Sequence, residues 1–412
     1  MLEPFAERLL LFSLAAIQFT TIVDFIIIMP LGPQYMRVFS ISPAQFGLIV
    51  SAYAISAGIS GIAAGFFLDR FDRKRALLIL YAGFTLGTLF CALAQTYPLL
   101  VLARALAGAF GGVTGALILA IVGDIIPEHR RGAAVGLVMS AFSVANIAGV
   151  PLGLVLAAHF NWHVPFFALA GLSAVIFASL SRLMPSLRSH LAHLQEEPPI
   201  ARMLAILSGS AHRRAFLFMG LLTFTGFVIF PYLPKYLEAN VGLTEKDLPW
   251  IYLCGGFCTM FSMNLIGRWA DRSGKKRVFA LMSTSAVVPI LILTNLPPVP
   301  LVAAVGASTL LMVCMSGRFV PAMALMTASI QARHRGGFMS VNSSVQQLAA
   351  GLAAWISGMV LGQSADGKIT RYSLIGVVSV ACALLCIYLS RFLASPQEER
   401  APGNGIIVEG LG

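Results

Sequence analysis

Three ionisable residues stand inside long apolar runs of this 412-residue sequence: Asp24 in FTTIVDFIIIMP, Arg104 in LARALAGAFGGVTG and Arg318 in MSGRFVPAM. An ionised group at a bilayer centre costs at least ~2.5–3.5 kcal/mol, so each is a candidate for function. Asp24 shares a helix face with Thr20 and Thr21, and every other Asp or Glu falls at the end of an apolar run, in a connection or in a tail. A carboxylate so placed binds or releases a proton as its surroundings dry out or a cation approaches, which makes Asp24 the candidate proton carrier. The structural alternative is an Asp satisfied by its own threonines or by a neighbouring Arg. Arg104 brings a permanent cation and heads a stripe of Gly108, Gly111, Gly112 and Gly115 that lets another helix approach closely. Arg318, just before Pro321, suits an anionic substrate group, a pairing with Asp24, or a head reaching the membrane interface. Amides complete the set of substrate-cavity candidates: Asn342 and Gln346 at i, i+4 on one face, and Asn146 on a stripe with Gly149 and Gly153 around Pro151.

The elements that carry these residues follow from composition. With 58% hydrophobic and 11% charged residues and a mean hydropathy of +0.85, the chain is an integral membrane protein. Lipid leaves the backbone only helices or closed barrels, and the apolar runs are of helix length, so an all-α integral membrane fold is expected. Twelve transmembrane helices are placed at 9–33, 45–67, 76–95, 98–123, 134–158, 164–183, 213–236, 249–269, 278–296, 300–330, 338–362 and 372–392. The first reads as a retained span and not as a cleaved signal. Most of the 28 Lys and Arg residues lie in connections on the side bearing both termini, which places those termini in the cytoplasm. The formal charge of +11 is spread among such short clusters, so nucleic acid is not a predicted partner. The six cysteines sit in apolar segments without a CxxC spacing and read as small buried residues, with no metal site.

The chain also repeats itself. GFFLDRFDRKR (65–75) returns as GRWADRSGKKR (267–277), MPLGPQYM (29–36) as FPYLPKYL (230–237), SPAQ (42–45) as TEKD (244–247), and HRRG (129–132) as RHRG (333–336). Four matches in one order, at offsets of 201 to 204, divide the chain into two like units. They are predicted as two pseudo-symmetric six-helix bundles: residues 1–183 and 213–394. A cytoplasmic linker, 184–212, with an interfacial helix marked by Leu187, Leu191 and Leu194, would join them, and 395–412 would form a disordered cytoplasmic tail.

Over essentially its whole length the sequence resembles the major facilitator superfamily. The cytoplasmic signature of that family stands here as Gly65, Asp69, Arg70, Asp72, Arg73 and Lys74, with Asp72 where glycine is usual and Gly274 retaining it in the second copy. Glycine suggests a positive φ, which Asp also tolerates. The resemblance implies a conformational latch of Gly65, Asp69, Arg70, Arg73, Asp271 and Arg272, in which Asp69 meets Arg130 or Arg131 and the helix opening near Gly337. It implies a role in proton transfer for Arg104, and an antiporter motif in Gly149, Pro151 and Gly153. GVPLG followed by F-x-W is similar to sugar- and drug-efflux permeases.

The implied protein is a monomeric secondary transporter in the inner membrane. It would export a small organic molecule in exchange for protons by alternating access, with no cofactor. Proton-coupled import, uncoupled facilitation and, from another class, a membrane receptor or scaffold are the alternatives. An enzyme is not expected: no GxxxxGK[ST], HExxH or GxSxG occurs.

Overall fold

The computed structural model describes residues 4–188, 207–328 and 335–393, and the chain there is almost wholly helical. Before the central segment run α1 (Pro4–Ile27), a short α2 (Gly32–Val38), α3 (Pro43–Phe67), α4 (Arg73–Leu93), α5 (Tyr97–Ile125), α6 (Glu128–Val144), α7 (Val150–His159) and α8 (His163–Leu183). After it come α9 (Ser210–Phe227), α10 (Leu233–Tyr236), α11 (Leu248–Ser273), α12 (Lys275–Ser285), α13 (Val287–Thr294), α14 (Leu301–Gly317), α15 (Phe319–Ala328), α16 (Arg335–Val360) and α17 (Tyr372–Ser390). Among the described residues, ten passages are long and apolar enough to cross a bilayer. The places expected for the seventh and eleventh spans are taken by α9 and α16, whose hydropathy is diluted by His212, Arg213 and Arg214 in one and by Asn342, Gln346 and Gln347 in the other. Leu191 and Leu194 of the expected interfacial helix, and the tail 395–412, lie outside the described residues.

Local chemistry sets the ends and bends. At the start of α3, Ser42 Oγ accepts from the Gln45 amide at 3.3 Å while Gln45 Oε1 accepts from the Ser42 amide at 2.9 Å, a reciprocal cap. In the second copy Thr244 donates to Asp247 and the helix begins only at Leu248. The first expected span, 9–33, stops as a helix at Ile27, because Pro30 and Pro33 lack the donors that would continue it. The seventh stops at Phe227, ahead of Pro231 and Pro234. Pro151 instead widens the preceding turn, Ala145–Gly149, into a π-helical bulge between α6 and α7.

Two expectations need correction. Asp72 does not adopt a left-handed conformation: its φ is −54°, and its carboxylate accepts from the Lys74 amide at 2.9 Å to cap α4. Gly274 alone keeps the positive φ, +89°. Of the cysteines, Cys91, Cys314 and Cys386 are buried, but Cys258 is exposed and Cys254 and Cys382 are partly so. A span turns part of its apolar surface to lipid, so an apolar neighbourhood in sequence does not require burial within the protein.

The core is continuous at one end of the molecule and divided at the other. Opposite the N-terminus, residues from both sides of the central segment share one cluster, including Val23, Ile27, Tyr35, Phe46, Trp162, Tyr232, Tyr236, Leu293 and Tyr372. Nearer the N-terminus one cluster holds Leu14, Tyr81, Phe84, Ile121 and Leu180, and a separate one holds Phe218, Phe279, Leu325, Phe338 and Cys386. The most extensive helix–helix contact joins α3 to α16, and α3 packs also on α5. Gly108 makes the latter possible: a Cβ there would lie 2.2 Å from the Tyr53 carbonyl oxygen.

Candidate functional site

Asp24 sits one turn from the end of α1, on a stretch that α7 and the bulge approach closely. Gly149 faces Val23 and Gly153 faces Ile27, where added Cβ atoms would fall 2.4 and 2.1 Å from their side chains. The carboxylate is fully buried, and so is the guanidinium it meets: Arg104 Nη1 of α5 donates to Asp24 Oδ2 at 2.8 Å and to the Asp24 carbonyl at 3.2 Å. Thr88 of α4 donates to the other carboxylate oxygen at 3.1 Å. Tyr53 of α3 places its ring 4.4 Å from Arg104 Cζ, a cation–π contact. Four helices thus converge on one ion pair. The span-1 threonines do not serve it: Thr20 bonds the Ile17 carbonyl and the Tyr81 hydroxyl, and Thr21 bonds the Ile17 carbonyl.

A buried pair of this kind is balanced as long as both partners stay charged; removing one costs about 3–5 kcal/mol. Protonating Asp24 would weaken its hold on Arg104, and drawing Arg104 away would favour the proton. Thr88 and Tyr53 had no signal in the sequence, since a lone Thr or Tyr in an apolar span is ordinary.

Arg318 does not reach Asp24, whose place beside a cation is already taken. It is 2% exposed, at the junction of α14 and α15, and Nη2 donates to the Thr225 hydroxyl of α9. The other candidates are apart from this pair. Asn146 donates to the Phe142 carbonyl at 2.8 Å from a bulge that faces Gly256 of α11. Asn342 is buried with its carbonyl oxygen unpartnered among the described residues, and Gln346 follows one turn along α16, partly buried.

Charged networks lie at both ends of the helices. Opposite the N-terminus, Arg37 pairs with Glu238 and Glu245, Gln34 donates to Glu245 at 2.6 Å, and Lys235 lies 3.3 Å from Glu238. At the other end, Arg73 pairs with Asp124 at 3.0 Å, Arg130 pairs with Glu7, and Arg131 Nε donates to the Ile126 carbonyl at 2.9 Å. Asp72 accepts from Ser186, from the Leu187 amide at 3.2 Å and from Arg188 Nε at 3.1 Å. Burial alone would raise its proton affinity, but these bonds and the Lys74 amide outweigh burial and hold the carboxyl well below the usual carboxylate range. The side chain of Asp69 lies outside the described residues; Gly65 lies in the last turn of α3, Arg70 is exposed in the following turn, and Asp271, largely exposed, lies 4.0 Å from Lys275, with Arg272 beside it on α11.

The family model of the Major Facilitator Superfamily matches residues 14–262 and 215–409. The inner membrane transport protein YdhP of Escherichia coli O157:H7 is 26% identical over 367 residues, covering 88% of this chain and 91% of that protein. A probable sugar efflux transporter of Helicobacter pylori (strain HPAG1) is 28% identical over 202 residues, 49% of this chain and 51% of its own. A bacterial homologue of the human lysosomal transporter Spinster, solved inward-facing and unoccupied, superposes with a TM-score of 0.73 at 16% identity, covering 95% of this chain and 98% of the other. The chain is a multi-pass membrane transporter belonging to the major facilitator superfamily.

Proposed function

We propose that this transporter is a twelve-span, monomeric, proton-coupled exporter of a small organic molecule. It works by alternating access between the bundles 1–183 and 213–394, joined by 184–212, with both termini cytoplasmic in an inner membrane. The observation that carries this reading is the fully buried pair of Asp24 and Arg104. A carboxylate held by a cation from another helix exchanges its proton only when those helices move, which is the linkage an antiporter needs. Asp24 takes a proton from outside, Arg104 is released, and return of Arg104 expels the proton inside. Thr88 and Tyr53 orient the two partners.

The divided core supports the rocking step: one end is sealed by a shared cluster and by Arg37 with Glu238 and Glu245, while the other end holds two separate cores. Arg70, Arg73, Arg131, Asp271 and Arg272 lie at the end where the latch formed with Asp69 would act. The bulge before Pro151 and the following helix, seated on α1 through Gly149 and Gly153, support export, as does the likeness to a probable sugar efflux transporter of Helicobacter pylori. Proton flux in proteoliposomes under an imposed pH gradient tests the reading: added compounds drive proton movement through the wild type and not through Asp24→Asn. Compound transport that persists unchanged in Asp24→Asn would remove this carboxylate from the mechanism.

A further inference from the structure

One buried charge plays no part in that coupling. Arg318 is 2% exposed, and its Nε and Nη1 have no acceptor among the described residues. Nη2 is fixed by Thr225, whose own proton goes to the Leu222 carbonyl at 2.6 Å, and Ser379 donates to the Thr225 carbonyl at 2.7 Å. Among the described residues, the titratable groups acting on Arg318 are the thiols of Cys314 and Cys386, and ordinary thiols are mostly protonated at neutral pH. The guanidinium is therefore held in place, shielded from bulk solvent, and without a counter-charge among the described residues.

The internal repeat identifies what is missing. The offset of 201 that aligns MPLGPQYM with FPYLPKYL also aligns Asp24 with Thr225. In the first unit that position carries the carboxylate that neutralises Arg104; in the second it carries a hydroxyl facing a different arginine. An unpaired cation in an apolar interior is costly, and a chain that keeps one while dropping the matching acid leaves room for an acid supplied from outside. The neighbours one turn away along the chain, Cys314 and Ala322, are buried, and so is Met315, so the surroundings suit an apolar body.

We propose that Arg318, positioned by Thr225, binds the carboxylate of a small organic anion with an apolar body, and that this is the class of molecule the transporter moves. The inference rests on the reading of the chain as a transporter of small organic molecules. One guanidinium neutralises one carboxylate; a dianionic phosphate would remain half-compensated in a buried site.

Thermal unfolding of the purified full chain in detergent tests the site, with sodium benzoate as probe, benzamide as its uncharged counterpart, and ionic strength fixed with sodium chloride. Benzoate is expected to raise the melting temperature saturably, and benzamide is not. Arg318→Gln should weaken benzoate binding by ~10-fold or more. Thr225→Asp, which supplies an internal counter-charge as in the first unit, should abolish the benzoate response while the chain stays folded. Equal responses to benzoate and benzamide, or an unchanged benzoate response in Arg318→Gln and Thr225→Asp, would overturn the proposal. Asp24→Asn separates the two readings: benzoate binding that remains dependent on Arg318 supports the anion site even where compound-driven proton flux through Asp24 fails to appear.

Discussion

Arg37 and Glu238 are an ion pair between matching positions of the internal repeat, 201 residues apart. Two positions related by a pseudo-twofold axis that meet each other must lie close to that axis. Like charges there would repel across the seam, so the two units had to diverge at this point, and they diverged to opposite signs. Lys235 and Glu245 extend the network on the second unit's side.

Because Arg37 is half exposed, its pairing is worth at most about 1 kcal/mol. Arg37→Ala should therefore shift the balance between forms closed and open at this end by no more than about fivefold, read from the distance between spin labels on α2 and α10. Arg37→Glu should shift it further, by repulsion from Glu238 and Glu245, and adding Glu238→Arg should reverse part of that shift. No change in any of the three would mean that the shared apolar cluster alone seals this end.

The buried pair behaves differently from the exposed one. Arg104→Leu leaves a carboxylate in an apolar site and is expected to lower stability by about 3–5 kcal/mol, whereas the double variant Asp24→Leu with Arg104→Leu should recover most of it. A double-mutant cycle from thermal melts gives the coupling; additive losses would show that the two side chains do not act as a pair.

Asp72 sets a pH dependence whose sign follows from its lowered proton affinity. A carboxyl stabilised in its charged form contributes fully above the unfolded-state value, near 3.9, and loses that contribution as pH falls toward the folded value. The stability difference between wild type and Asp72→Asn should thus stay constant from pH 5 to 8 and shrink below about pH 4. At neutral pH Asp72→Asn should also speed tryptic cleavage after Arg188, because the carboxylate that holds Ser186, Leu187 and Arg188 is gone. A difference that grows on acidification would contradict this account.

The close approaches differ in what gives way. A Cβ at Gly108 would meet the Tyr53 backbone, 2.2 Å from its carbonyl oxygen, while one at Gly153 would meet the terminal Cδ1 of Ile27 at 2.1 Å. Backbone cannot swing aside and a δ-methyl can. Gly108→Ala is therefore expected to cost about 1–3 kcal/mol and disturb the ring against Arg104, and Gly153→Ala less than about 1 kcal/mol. Equal melting temperatures for the two variants would show that α3 has freedom to retreat.

Spans, the repeat, and Asp24 and Arg104 as separate buried charges were legible in the sequence because each breaks a strong local rule: apolar length, chance similarity, or charge in lipid; that Arg104 and not Arg318 meets Asp24 was not. Thr88 and Tyr53 break none, and only the three-dimensional meeting of α1, α3, α4 and α5 gives them a role. Asp72 was visible as a departure but misread, since one position cannot distinguish a turn from a cap until its partners at 186–188 are known. Arg37 and Glu238 could have been found by comparing charges, and not only prolines, across the offset of 201 that aligns MPLGPQYMR with FPYLPKYLE.

Tyr232 carries a last consequence. Its hydroxyl lies 3.1 Å from the Pro43 carbonyl and 2.9 Å from the Ala354 carbonyl, and Gly47 and Gly358 leave it room on either side. A phenol has a single proton, so the two carbonyls compete for it. Were Pro43 to move away with α3, the proton would settle wholly on Ala354 and no donor would be stranded. That bond charges no toll for opening: it behaves as a zip fastener's stop, fixing where the two edges meet and adding little to the force needed to part them.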